Sequence, residues 1–203
     1  MADTVALPGL FPLLRSRPRY RDLLDRVSSG SASRLPLLDS AKPFVLAGLH
    51  RDVEQPLLVL TPEAPRARQL ADQICVYLGD SARVAFFPET DALFYEQLGW
   101  DPALAQERLS GLRLLQGGGV LVASVRAALQ RLWPPQAFGA AEREVARGQR
   151  IDLERTLAEW IGLGYEPAAS VTQPGELARR GGIVDVFPPS SPLPVRLELF
   201  DDE

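Results

Sequence analysis

The residue types able to do chemistry are few in this chain, and their spacing selects three places. The first is Leu37-Leu38-Asp39-Ser40-Ala41-Lys42-Pro43-Phe44. Of 22 basic residues, Lys42 is the only lysine. Codon bias in a GC-rich genome accounts for the ratio but not for the position. Lys42 stands where a phosphate-binding loop places its lysine. Such a loop needs glycines whose backbone N–H groups wrap the phosphates, a lysine to neutralise them and a hydroxyl for Mg²⁺. Here Asp39 and Ala41 occupy the glycine positions, and the Asp39 carboxylate would repel phosphate. Pro43 replaces the hydroxyl and removes an N–H. Two readings stay open. Asp39, Ser40, Ala41, Lys42 and Pro43 are a degenerate nucleotide site that has lost ATP, or a helix N-terminus that never held a ligand.

The second place is Arg179-Arg180-Gly181-Gly182-Ile183-Val184-Asp185-Val186-Phe187. Two arginines and two glycines ahead of an apolar strand predict a hairpin that projects guanidinium groups at its tip. Guanidinium forks suit bidentate recognition of a partner's carboxylates. A local alternative is that Arg180 only satisfies Glu176 or Asp185. The third place is Phe86-Phe87-Pro88-Glu89-Thr90-Asp91-Ala92-Leu93-Phe94-Tyr95-Glu96, an aromatic-rich connection after a strand, where α/β folds collect ligands. His50 has no nucleophile arranged around it and is expected to be structural or at the surface. Cys75 is expected to be a small buried hydrophobe. Asp201-Asp202 is expected to be a solvated pair. No catalytic residue is assigned. One histidine and one cysteine are too few for a zinc site.

These places must be held by ordered elements. Tyr20, Leu23, Leu24 and Val27 are spaced for an entry helix over Arg19–Val27. Leu35–Leu38 is expected as a short strand, Ala41–Val53 as a helix and Leu57–Thr61 as a strand. Pro62-Glu63 opens a helix through Leu78 that Gly79 stops. Arg83–Phe87 and Val120–Ala123 are further strands around a helix over Pro102–Leu115. Ser124 caps a short helix to Leu132. Apolar strands alternating with amphipathic helices predict a parallel sheet covered on both faces. Beyond Trp133-Pro134-Pro135 the pattern changes. Asp152 caps a helix to about Leu163, and Ala168–Val171, Gly182–Phe187 and Val195–Phe200 resemble antiparallel strands. The expected organisation is an α/β domain over 1–133 and a small α+β domain over 134–203. The chain stops on a strand, so it is expected to be the front of a longer protein.

Composition supports a globular chain. Its 203 residues are 46% hydrophobic and 24% charged, which excludes wholesale disorder, collagen and a coiled coil. No apolar run of about 18 residues offers a membrane span. A secretory leader is not expected, and a lone Cys75 fits a reducing cytoplasm. Net charge is −4. Residues 1–133 hold 15 basic and 14 acidic residues, and residues 134–203 hold 7 and 12. The second part, at −5, fits a protein partner better than a nucleic acid. Arg15, Arg17, Arg19, Arg21, Arg26 and Arg34 leave the entry segment basic, so DNA contact there is an alternative.

Four segments together resemble one family. Phe87-Pro-Glu-Thr-Asp-Ala-Leu-Phe-Tyr-Glu96 is similar to its FP-x-x-[ED]-x-LPY-[ED] segment, and Gln106-Glu-Arg-Leu109 to its x-x-RL helix. Gly119-Val-Leu-Val-Ala-Ser-Val-Arg-Ala-Ala-Leu-Gln-Arg131 is similar to its G-hhVxxVxxLhQR strand and helix. Arg180-Gly-Gly-Ile-Val-Asp-Val-Phe-Pro188, with Pro194-Val-Arg-Leu-Glu-Leu-Phe-Asp-Asp-Glu203, is similar to its RGGIhDhFP…P-h-R-h-[ED]-hFDDE run. The family is that of the bacterial transcription-repair coupling factors (the Mfd family), whose N-terminal region is similar to the front of the excinuclease subunit UvrB. UvrB keeps a working phosphate loop, so a UvrB-like ATP-binding fragment is the alternative.

The resemblance implies a helicase-like α/β domain 1a over 1–133 without a working nucleotide site, a small domain 2 over 134–203 that recruits UvrA, and the start of domain 1b at the end of the chain. It implies a non-catalytic fragment with a share in autoinhibition. The parent protein's other domains would bind RNA polymerase and DNA and hold ATP and Mg²⁺ in a translocase. Carried over by position, the UvrA surface would comprise Arg180, Arg179, Leu177, Glu176, Gly181, Tyr165 and Glu166. The family often has an aromatic where Leu177 stands, UvrB has an arginine where Ala178 stands, and many relatives have a basic residue near Glu166.

Overall fold

A computed structural model describes residues 7–90, 101–132 and 134–199. Its helices are α1 (Phe11–Arg15), α2 (Pro18–Ser28), α3 (Lys42–Val53), α4 (Ala64–Leu78), α5 (Pro102–Gln116), α6 (Val125–Ala128), α7 (Pro135–Ala141) and α8 (Leu153–Gly162). Its strands are β1 (Leu57–Thr61), β2 (Val84–Phe87), β3 (Val120–Ser124), β4 (Glu166–Pro167), β5 (Glu176–Arg180), β6 (Ile183–Val186) and β7 (Val195–Glu198). They fall into two units. Among the described residues the first takes 7–90 and 110–129, and the second takes 101–109, 130–132 and 134–199.

The first unit is built on a parallel sheet of order β1-β3-β2. Central position buries every residue of β3, and strand alternation divides them. Val120 and Val122 join Val45 and Ala47 of α3 and Leu70 and Ile74 of α4 in one core. Leu121 and Ala123 face the other way, with Phe87 and with Leu112 and Leu115 of α5. The predicted punctuation is in place. Gly79 adopts φ +70° and donates its N–H to the Cys75 carbonyl at 2.8 Å. The Ser124 hydroxyl accepts the Ala127 N–H at 3.0 Å. Asp52 ties the front of the chain to α3, accepting the Tyr20 hydroxyl at 2.9 Å and the Arg15 guanidinium.

Three expectations for this unit are corrected, and one element was not expected. Leu35–Leu38 forms no strand. Pro36 has no N–H for a ladder, and Leu35 and Leu37 pack on the core from an irregular chain. The helix after Ser124 ends at Ala128. The sheet is not covered on both faces throughout, because Leu58 and Leu60 on edge strand β1 are each 50% exposed. The five-residue α1, with Pro12 inside it, has too little periodicity to be expected from sequence.

The second unit packs α8 on a sheet of order β4-β5-β6-β7, parallel at β4–β5 and antiparallel elsewhere. Asp152 caps α8 as expected, its carboxylate accepting the Arg155 N–H at 3.1 Å. Leu157 and Trp160 meet Leu177, Val184 and Val186 beneath the helix. The expected strand over Ala168–Val171 is not formed. Pairing falls instead on Glu166–Pro167, because the Thr172 and Gln173 N–H groups turn onto the Glu176 carboxylate at 2.6 and 3.0 Å. The short α7 was not expected, and Phe200 lies outside the described residues. Arg108, 5% exposed, donates to the Gln130 side chain at 2.7 Å, which joins the Gln106–Leu109 motif to the Gln130-Arg131 motif.

His50 is buried in the first unit at 6% exposure, and neither ring nitrogen makes a hydrogen bond of normal geometry. Burial pushes its pKa below the ordinary 6.5 and the Arg83 charge adds to this, while the Gln55 main chain opposes it. The native state therefore holds His50 neutral, and the unfolded chain binds the proton first as pH falls. His50 stabilises the fold fully above about pH 6.5 and loses that contribution on acidification, at no more than about 1.4 kcal/mol per pH unit. Denaturant unfolding of the wild type and His50→Leu from about pH 7.5 to about pH 5.5 tests this. The wild-type slope is expected to exceed the variant's, and equal slopes would refute the assignment.

Candidate functional site

The most developed polar surface is on the sheet of the second unit, and strand alternation builds it. Along β5, Leu177 and Arg179 point to the α8 side, and Ala178 and Arg180 point away. Register carries this division across the ladder. Arg179 pairs with Val184 and Leu177 with Val186, while Ala178 pairs with Asp185 and Arg180 with Ile183. On β7, Arg196 pairs with Asp185 and Glu198 with Ile183. On β4, Glu166 pairs with Glu176. The face away from α8 thus carries Glu166, Glu176, Arg180, Ile183, Asp185, Arg196 and Glu198, around the small buried Ala178.

Three of the six charged groups on this face, Arg196, Asp185 and Glu176, are already matched. Arg196 grips Asp185 through both guanidinium edges, at 2.6 and 2.9 Å, and holds its carboxyl below the usual range. The Glu176 carboxylate accepts the Thr172 and Gln173 N–H groups, which hold its pKa down as well. Arg180 pairs with neither acid. Its guanidinium donates to the Ala169 main-chain carbonyl at 3.1 Å. No carboxylate among the described residues forms an ion pair with it, and the residue is exposed.

The other expected site residues separate into different environments. Arg179 lies on the opposite face, bound to Glu154 of α8 at 2.5 Å and to the Gly181 carbonyl at 3.2 Å. Leu177 is 4% exposed and belongs to the core. Tyr165 is half-buried with its ring 6.0 Å from Trp160, and burial raises its pKa. Glu166 is exposed on the edge strand. Arg196, Asp185 and Ile183 complete the face but were not among the expected residues. The alternation of Ile183–Val186 and Val195–Glu198 signals their direction, but only the register brings Asp185 beside Arg196.

The hairpin tip depends on its glycines. Gly181 adopts φ +62°. Gly182 donates closeness rather than rotation: its carbonyl accepts the Leu199 N–H at 2.9 Å, and a Cβ on Gly182 would stand 3.0 Å from the Leu199 carbonyl oxygen. Chain from β7 therefore runs directly behind the turn that follows Arg180.

The other two places lie in the first unit. Asp39–Ala41 is a single 3-10 turn, and Lys42 is the first residue of α3. The Lys42 ammonium is 2.5 Å from the Asp39 carboxylate and holds its pKa down. Pro43 is buried. No strand leads into this turn, so the strand–loop–helix frame of a phosphate loop is not formed. Of the aromatic connection, Glu89 accepts the Ser124 hydroxyl at 2.5 Å, and Arg68 lies 4.4 Å from the centre of the Phe86 ring. Asp91–Glu96 lies outside the described residues, as does Asp201-Asp202. Cys75 is half-buried against the core. No group of metal-ligating side chains is assembled among the described residues, and no helix there is long and apolar enough to cross a membrane.

Residues 144–203, from just before α8 through the sheet, match the UvrB interaction domain family. Along nearly all of the chain the relatives carry one name. The transcription-repair-coupling factor of Mycobacterium bovis is 32% identical over 97% of the chain, that of Myxococcus xanthus 31% over 90%, and that of Bacillus subtilis 28% over 91%. Along nearly its whole length the chain is similar to the transcription-repair-coupling factors. It spans 16% of the length of each of these three relatives. The match to the UvrB interaction domain contains the whole charged face and its hairpin.

The glycine at the tip makes a separate prediction. Gly182→Ala is expected to cost about 1–3 kcal/mol in denaturant unfolding, because main chain rather than a flexible side chain must give way. Gly162→Ala, at the end of α8 with nothing near its Cβ, is expected to be neutral or stabilising. Equal effects of the two would show that the close approach does not constrain the hairpin.

Proposed function

We propose that this chain is a non-catalytic recruitment module that docks UvrA on the sheet face bearing Arg180. The observation that carries the reading is the state of Arg180. It is an exposed guanidinium held by one main-chain carbonyl, on a face where Arg196 occupies Asp185 and the Thr172 and Gln173 N–H groups occupy Glu176. A partner carboxylate can meet it without breaking an existing ion pair. Similarity to the coupling factors and the match to the UvrB interaction domain support UvrA as that partner. Arg180 is the central contact, with Gly181 next to it at the turn, Glu166 at the other end of the same face and Glu176 shaping the adjoining loop. Leu177 and Tyr165 position the strand from the core, and Arg179 braces the hairpin on α8.

In the whole protein this module would bring UvrA to a stalled RNA polymerase in the cytoplasm. An ATP-driven DNA translocase elsewhere in the chain would do the mechanical work, and packing against other domains would restrain the module. The Asp39–Pro43 turn is the remnant of a nucleotide site, closed by its own ion pair. ATP and Mg²⁺ belong to the motor domains, not here.

Titration calorimetry of the 203-residue chain with UvrA tests the reading. Arg180→Ala is expected to weaken binding about tenfold or more, and Arg179→Ala, on the other face, to leave it within about threefold. Unchanged binding by Arg180→Ala would remove the site, and no binding by the wild type would remove the partner. A UvrB-like ATP site is the second reading, favoured only by the position of Lys42, and micromolar ATP binding with Mg²⁺ would establish it instead.

A further inference from the structure

The recruitment face leaves the arginine-rich entry segment unused. Residues 15–34 carry six arginines against Asp22 and Asp25, a net of +4 inside a chain of net −4. Two of the six are neutralised within the fold, Arg15 by buried Asp52 and Arg26 by Asp22 at 3.3 Å. Arg19 and Arg34 are exposed and form no ion pair among the described residues.

Geometry gathers these charges. Arg19, Leu23 and Arg26 are spaced four and three residues apart, which puts them on one flank of α2. The irregular chain after α2 returns Arg34, Leu35 and Pro36 to that same flank. Together they line an open groove of about 360 Å³. Three guanidiniums and one carboxylate border it, so its field is positive.

We propose that this groove binds the phosphodiester backbone of duplex DNA without reading its sequence. Guanidinium forks match phosphate oxygens bidentately. The groove has no aromatic wall on which unpaired bases would stack, which disfavours a single strand. It also has no asparagine or glutamine to read adenine edges. Arg19 and Arg34 are the phosphate ligands. Arg26 is shared with Asp22, and Leu23 and Leu35 keep the two arms apart. The surface is distinct from the Arg180 face, and it stands or falls without the recruitment reading.

Fluorescence anisotropy of a labelled duplex of arbitrary sequence, with the full 203-residue chain from about 20 mM to about 200 mM KCl, tests this. Two phosphates neutralised predict a slope of log K against log salt of about −2. Arg19→Glu/Arg34→Glu is expected to weaken binding at low salt at least about tenfold and to flatten the slope. Arg147→Glu/Arg150→Glu changes the net charge equally in the other unit and is expected to alter binding less than about threefold. Unfolding curves of each variant check that the fold is kept. Absence of binding at the lowest salt, or equal losses in the two double variants, overturns the proposal. Equal competition by polyglutamate of matched charge overturns it too, by making the occupant an acidic polypeptide.

Discussion

The period of two along one five-residue strand governs the second unit. Leu177 and Ala178 are neighbours and both are buried, but on opposite sides of the sheet. Arg179 and Arg180 are therefore sent in opposite directions as well. The first ends on Glu154 of α8, and the second remains available on the open face. A slip of one residue in register would exchange them, turn Leu177 out onto the open face and put Ala178 or Glu176 in its place in the core. Leu177 specifies the register because its place in the core is apolar and filled.

Availability of Arg180 is a result of what its neighbours do. Asp185 and Glu176 are close in sequence or register and would be natural partners. Arg196 occupies the first from the adjoining strand, and two backbone N–H groups occupy the second from a tight loop. Each of these contacts is exposed and contributes little to stability alone. Their effect lies in competition, since they remove the acids that would otherwise close over the arginine. The same logic with the opposite outcome operates at Asp39, whose carboxylate sits on Lys42 and partly neutralises that ammonium.

Much of this was legible from sequence. Leu57–Thr61 and Val120–Ser124 are apolar runs too short for helices, and the helix expected after Pro62-Glu63 and stopped by Gly79 is α4, which begins at Ala64. The hairpin followed from Arg180-Gly181-Gly182-Ile183. Leu35–Leu38 misled because an apolar run is equally suited to packing as irregular chain when proline interrupts its donors. Strand β4 was displaced by a side-chain cap that composition does not reveal. The partnerships on the charged face were out of reach for a related reason. Arg196 and Asp185 are eleven residues apart, and only the pairing of β6 with β7 brings them together.

Strand order in the first unit has a consequence in time. β3 lies between β1 and β2 but follows both in the chain. As the polypeptide emerges during synthesis, β1 and β2 have no hydrogen-bonded neighbour among the described residues until Val120–Ser124 is available. Until then Leu57-Leu58-Val59-Leu60 is an unpaired apolar stretch, shielded only by its packing on α4. Such non-local closure is slow relative to helix formation and leaves strands open to wrong partners. The helices can form as they appear, whereas the sheet waits for its middle strand. A premature stop before Val120 would leave a helical, sticky intermediate rather than a smaller version of the domain.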